Sequence, residues 1–183
     1  MKRKDLKNFN LSAMFIALGL ILPFLTGQIQ QIGSMLLPMH IPVLLCGLIC
    51  GWQYGLFIGF LLPPLRSIIF GMPPMFPIAI AMAFELATYG AVIGFLYHKS
   101  IKKSIASIYR SMIGAMISGR IIWGLVMIFL LGIRGNVFTW QMFIAGAFLN
   151  AIPGIILQLV LIPSIMVILD RTNLVQFTKK VEN

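Results

Sequence analysis

The sequence predicts an all-α fold, a polytopic membrane protein of six transmembrane helices with both termini cytoplasmic. Three observations carry that expectation. Of 183 residues 60% are hydrophobic and only 10% charged, with a mean hydropathy of +0.99, too little polar surface to cover a soluble globule. The apolar residues fall in runs of bilayer-spanning length separated by turn signals. The basic residues fall mainly in three clusters outside those runs: Lys2, Arg3, Lys4 and Lys7; Lys99, Lys102, Lys103 and Arg110; Arg171, Lys179 and Lys180. In a soluble protein the formal charge of +10 would suggest nucleic acid. Beside apolar runs it reads instead as positive-inside topology, with membrane lipid as the partner and no nucleic acid.

Residues 1–10 form a basic cytoplasmic N-terminus. The first span, residues 11–26, lacks a small-residue cleavage site and so is retained rather than removed as a signal peptide. A stretch containing Gln and Gly follows, residues 27–39. The second span covers 41–50, turns at 51–55, and the third continues to 70. The segment 71–77 holds three prolines, which cannot continue a helix, and reads as a loop. The fourth span runs to 97, the fifth covers 107–132 and the sixth 138–169. The last is long, and Pro153 and Pro163 predict that it bends or tilts. Residues 170–183 form a cytoplasmic tail, and the whole chain, 1–183, reads as one membrane domain. Six spans put both termini, the turn at 51–55 and the loop between spans four and five on one side, where all three basic clusters fall.

Small residues describe how the spans touch. Gly47, Gly51, Gly55 and Gly59 recur every four residues, as do Gly90 and Gly94 in the fourth span and Ala13 and Ala17 in the first. That spacing lines one helix face and lets backbones approach closely. For the glycines it predicts packing within the chain. For the two alanines it equally fits a stripe offered to another membrane protein. Cys46 and Cys50, in a C-x-x-x-C spacing with no further cysteine, match neither a redox motif nor a zinc site and read as reduced packing residues.

The candidate site rests on charges placed where charges are hardest to keep. At about 1.5 Å per residue from the outer ends, Glu85 lies about 15 Å down the fourth span, Arg120 about 18 Å down the fifth and Asn150 about 18 Å down the sixth. An unpaired charge there costs at least roughly 2.5 to 3.5 kcal/mol, so a Glu85–Arg120 pair is the cheapest arrangement. That pair is either a salt bridge between helices or the lining of a polar cavity. Pro153 has no N–H for the Leu149 carbonyl, which frees an acceptor beside Asn150. Tyr89 and Trp123, one turn from Glu85 and Arg120, are candidate walls. His40, between Pro38 and Pro42, and Arg66, after Pro63 and Pro64, read as nearer the outer surface, where Arg66 is placed to snorkel. Two arginines and a histidine against one intramembrane acid suit a ligand with a carboxylate or several acceptor oxygens. No phosphate loop, metal-binding carboxylate cluster or Ser/His/Asp set is present, so the reading contains no enzyme, no metal and no cofactor.

The stretch Ala13-Met14-Phe15-Ile16-Ala17, with six spans, basic termini and a chain of this length, resembles the S component of an energy-coupling factor transporter, the substrate-binding subunit of a vitamin importer. Leu37-Pro38-Met39-His40-Ile41-Pro42-Val43, Gly71-Met72-Pro73-Pro74 and Glu85-Leu86-Ala87-Thr88-Tyr89-Gly90 resemble the branch that includes pantothenate and pyridoxine-type S components. The resemblance implies a multi-pass protein of the bacterial plasma membrane without its own ATPase site. It implies docking through Ala13 and Ala17 onto a transmembrane coupling subunit carried by two ATPases. It also implies a ligand site toward the outer side, walled by the fourth, fifth and sixth helices and capped by the loops before the second and fourth. The competing classes are a structural or regulatory membrane subunit with no small ligand, and an autonomous secondary transporter, which the absence of an inverted repeat disfavours.

Overall fold

The computed structural model describes residues 3–26, 35–147 and 149–172, and their regular structure is all helical. Helix α1 is Arg3–Ile21, extended by a 3-10 turn, Leu22–Thr26. The others are α2, His40–Cys50; α3, Trp52–Phe70; α4, Ile80–Lys99; α5, Ile105–Ile133; α6, Trp140–Ala147; and α7, Ile152–Arg171. Five segments are long and apolar enough to cross a bilayer: Asp5–Phe24, Trp52–Phe70, Met75–Lys99, Ile105–Ile133 and Trp140–Arg171. The all-α membrane fold is therefore as expected. Residues 27–34 of the stretch after the first span, and 173–183 of the tail, lie outside the described residues.

Three expectations about elements change. The second span is a helix of 11 residues, about 16 Å long and roughly half a hydrocarbon core. All its residues but Ile49 are buried, so α2 is a core helix wrapped by its neighbours rather than a lipid-facing span. The basic N-terminal stretch is helical from Arg3 onward. The proline segment is a loop as expected, with Phe76 extended at φ −114° and ψ 133°, and the Ala79 N–H donates to the Pro74 carbonyl at 2.9 Å just ahead of α4. The sixth span is interrupted by a 3-10 turn. α6 ends at Ala147 and a 3-10 turn, Leu149–Ala151, precedes α7. Pro153 thus sits in the first turn of α7, where a missing N–H leaves no intrahelical bond unmade, while Pro163 is carried inside the helix.

Glycines join α2, α3 and α4 backbone to backbone. A Cβ on Gly47 or on Gly55 would lie 2.6 Å from the Gly90 carbonyl oxygen, and one on Gly94 would lie 2.6 Å from the backbone of Trp52. Packing within the chain is therefore what these small residues do. Tyr89, Leu86, Ile93, Leu44, Leu48 and Met112 fill the core around the seam. At one end of the bundle, Asn8 Nδ2 donates to the Cys50 carbonyl (3.3 Å) and Gly51 approaches His98. At the opposite end, Phe24 and Phe70 meet edge to face at 5.0 Å. The first end carries the basic loop after Lys99 and is called the basic end below. Cys46 and Cys50 are free and buried, with Ser12 Oγ 3.7 Å from Cys46 Sγ.

Candidate functional site

The polar centre is assembled by α2, α4 and α5. Glu85 projects from α4 at 2% exposure, and Arg120 Nη1 reaches its Oε1 at 2.8 Å from α5. The third member is His40, the first residue of α2, whose Nε2 stands 3.6 Å from the same oxygen. His40 is fully buried, not near the surface as its sequence position suggested. The reason is the shortness of α2, which begins inside the bundle. Leu37, just before it, adopts a left-handed backbone with φ of 51°, strained for a bulky side chain, and its carbonyl accepts the His40 N–H at 3.0 Å.

Tyr89, one turn along α4 from Glu85, closes the centre. Its ring meets the His40 ring edge to face at 5.1 Å and lies against Gly119, where a Cβ would collide with it. The tyrosine is buried, as a wall residue should be. Trp123 stands one turn along α5 from Arg120, on the side away from the basic end, half-buried, with Phe138 at 5.8 Å and Phe143 at 6.3 Å. It belongs to a second apolar cluster with Ala81, Met127 and Leu130.

Two candidates are placed elsewhere. Arg66 does not snorkel. It is 3% exposed, and its Nη1 donates to the Leu20 carbonyl at 2.6 Å, between the rings of Phe24 (5.2 Å) and Phe70 (5.3 Å). A helix leaves its last carbonyls without partners, and a cation there also meets the negative end of the helix dipole, so Arg66 closes the C-terminal end of α1. Asn150 is exposed in the 3-10 turn Leu149–Ala151. The expected common depth with Glu85 and Arg120 assumed one continuous α-helix from residue 138, whereas the helix starts at Trp140 and Asn150 lies in a 3-10 turn.

Burying an ion pair is stabilising only when its remaining donors and acceptors are matched. Here they are not. Arg120 Nε and Nη2 and both ring nitrogens of His40 are buried without a hydrogen-bond partner among the described residues. One guanidinium nitrogen and an imidazole thus converge on one carboxylate, and the two guanidinium nitrogens left over are donors suited to receiving oxygen acceptors of a small molecule. Among the described residues, no group of three or more His, Cys, Asp or Glu is placed to hold a metal ion.

Ala13 and Ala17 lie exposed along α1, on the side away from Ser12, Phe15 and Gly19, which are buried. Gln158, on α7, is a buried polar residue that the charge-based reading of the sequence passed over.

Comparison with known proteins places the site in context. A family model described as "ECF transporter, substrate-specific component" matches residues 7–166. No curated protein and no solved structure matches the chain.

Proposed function

Because this chain belongs to the substrate-specific components of ECF transporters, multi-pass membrane subunits that serve transport rather than catalysis, we propose that it captures a small water-soluble vitamin or precursor from outside the cell at the centre formed by His40, Glu85, Tyr89 and Arg120. Pantothenate is the favoured ligand, ahead of pyridoxine or a pyrimidine precursor, in line with the branch whose motifs the chain resembles. The observation that carries this reading is the set of unmatched buried donors on Arg120 and His40 beside a paired carboxylate. If the pair only locked helices together, those donors would each cost about 1–3 kcal/mol with nothing in return.

The remaining roles follow from the same assignment. Both termini and the basic loops face the cytoplasm. The membrane domain is single and carries no ATPase site, so energy comes from two ATPases through a transmembrane coupling subunit. Ala13 and Ala17 provide the docking stripe, and their exposure on α1 supports that role. After docking, the subunit topples in the membrane and ATP-driven motion of its partners releases the ligand inside. Trp123 walls the outer side of the site.

The test is a binding screen of the purified protein in detergent against a panel of water-soluble vitamins, read by thermal stabilisation and by calorimetry. A panel member that binds at micromolar concentration or below is the expected result. No binding across the panel, with the protein folded, would refute it.

A further inference from the structure

The buried polar residue left over by this account is Gln158. It is 1% exposed, and its Nε2 has no hydrogen-bond partner among the described residues. The inward face of α7 repeats every four residues as Gly154, Gln158, Ile162 and Met166, all buried. The last two belong to the main apolar core. An amide in that series is destabilising by about 1–3 kcal/mol relative to a matched one, and an aliphatic residue of similar size would fill the same space without the loss. Packing therefore gives no reason for a glutamine here.

Its level in the bundle does give one. Measured from the basic ends of their helices at about 1.5 Å per residue, Gln158 lies about 20 Å above Arg171, Glu85 about 21 Å above Lys99 and Arg120 about 22 Å above Ile105. One turn outward, Gly154 packs against the backbone of Met35 and Leu36, just ahead of His40; a Cβ there would sit 2.8 Å from the Leu36 carbonyl carbon. One turn inward, Ile162 joins the core cluster that contains Met116, which is one turn along α5 from Arg120. Gln158 is thus the group that α7 presents at the level of the polar centre, where the sequence had suggested Asn150.

We propose that Gln158 is a ligand-binding and specificity-determining residue of this site, donating its amide N–H to an oxygen acceptor of the bound molecule, and that the site takes oxygen-rich, non-cationic ligands. The inference rests on the function proposed above. The donors are Arg120 Nε and Nη2, a His40 ring N–H and the Gln158 amide, while Glu85 Oε1 is already paired with Arg120 Nη1. Donors in excess select carboxylate, carbonyl or hydroxyl oxygens. A cationic ligand would have to draw Glu85 away from Arg120.

The experiment titrates purified full-length protein in detergent with sodium pantothenate, pantothenol, pyridoxine and thiamine. It compares wild type with Gln158→Met, which keeps length and removes the donor, and with Gln158→Glu, which replaces the donor by a charged acceptor. Unfolding temperature is recorded for each. Gln158→Met should weaken binding of the tightest oxygen-rich ligand roughly tenfold or more without lowering the unfolding temperature. Gln158→Glu should weaken pantothenate more than the uncharged pantothenol, and keeps the test open should the methionine variant misfold. Wild-type binding with unchanged affinity in both variants would overturn the role of Gln158 while leaving the function standing. Binding of thiamine alone would overturn the ligand class. Absence of all binding would overturn the function itself, and this inference with it.

Discussion

Helices α2 to α4 and the chain from α6 onward are built in different ways, and the polar centre belongs to the first region together with α5. In the first region, glycines bring backbones into direct contact, and half of the most apolar stretch of Met75–Lys99 is buried. In the second, 28% of the corresponding stretch of Trp140–Arg171 is buried, and the helix is interrupted at Leu149–Ala151. Backbone contacts cannot be relieved by changing a rotamer, so they hold His40, Glu85 and Tyr89 in fixed relation. Contacts made by side chains, such as Trp123 against Gly146 and Phe143 against Gly124, leave room for adjustment. A capture site gains from both: one wall that is preorganised, and another that can close on the ligand.

Breaking the charge pair should give the largest effect. Glu85→Gln leaves Arg120 as an uncompensated buried charge and should lower unfolding stability by about 3–5 kcal/mol, whereas Glu85→Gln with Arg120→Met should lose much less. Chemical unfolding in mixed micelles measures both, and equal losses would contradict the pairing. Removing the closure of α1 comes next. Arg66→Met deletes a charge-assisted bond to the Leu20 carbonyl and should cost about 1.5–3 kcal/mol, with faster hydrogen exchange confined to the C-terminal end of α1.

The glycine seam allows a paired test of the regional difference. Gly90→Ala places a methyl on the Gly55 backbone and should destabilise by about 1–3 kcal/mol. Gly132→Ala, with nothing within 4 Å, should be neutral or stabilise by up to about 1 kcal/mol. Similar effects from the two would erase the contrast. The smallest change in stability is expected from Ala13→Trp with Ala17→Trp, within about 0.5 kcal/mol on an exposed face. Ligand affinity should be kept while co-purification with a coupling subunit is lost, and a retained complex would count against docking through α1.

The membrane class and the long spans were legible because hydropathy and length are local signals. Glu85 and Arg120 were legible for a related reason, since a charge in an apolar run has few places to go. His40 was misplaced because its depth depends on where α2 begins, and an 11-residue helix that starts inside the bundle leaves no mark in composition. Asn150 was read at the depth of Glu85 by counting along a continuous helix, and the 3-10 turn ahead of α7, which leaves it exposed, carries no mark in composition. Arg66 was undecided between snorkelling and ligand binding because its partners, Leu20, Phe24 and Phe70, come from elsewhere in the chain or from the next turn of the same helix.

The most direct measurement is equilibrium binding of the vitamin panel to wild type and to the Glu85→Gln, Arg120→Met double variant, with unfolding temperature recorded on the same samples. The account predicts that wild type binds a panel member and that the double variant, still folded, loses that binding by at least tenfold. A double variant that binds as wild type does would show that the buried pair fastens α4 to α5 and nothing more.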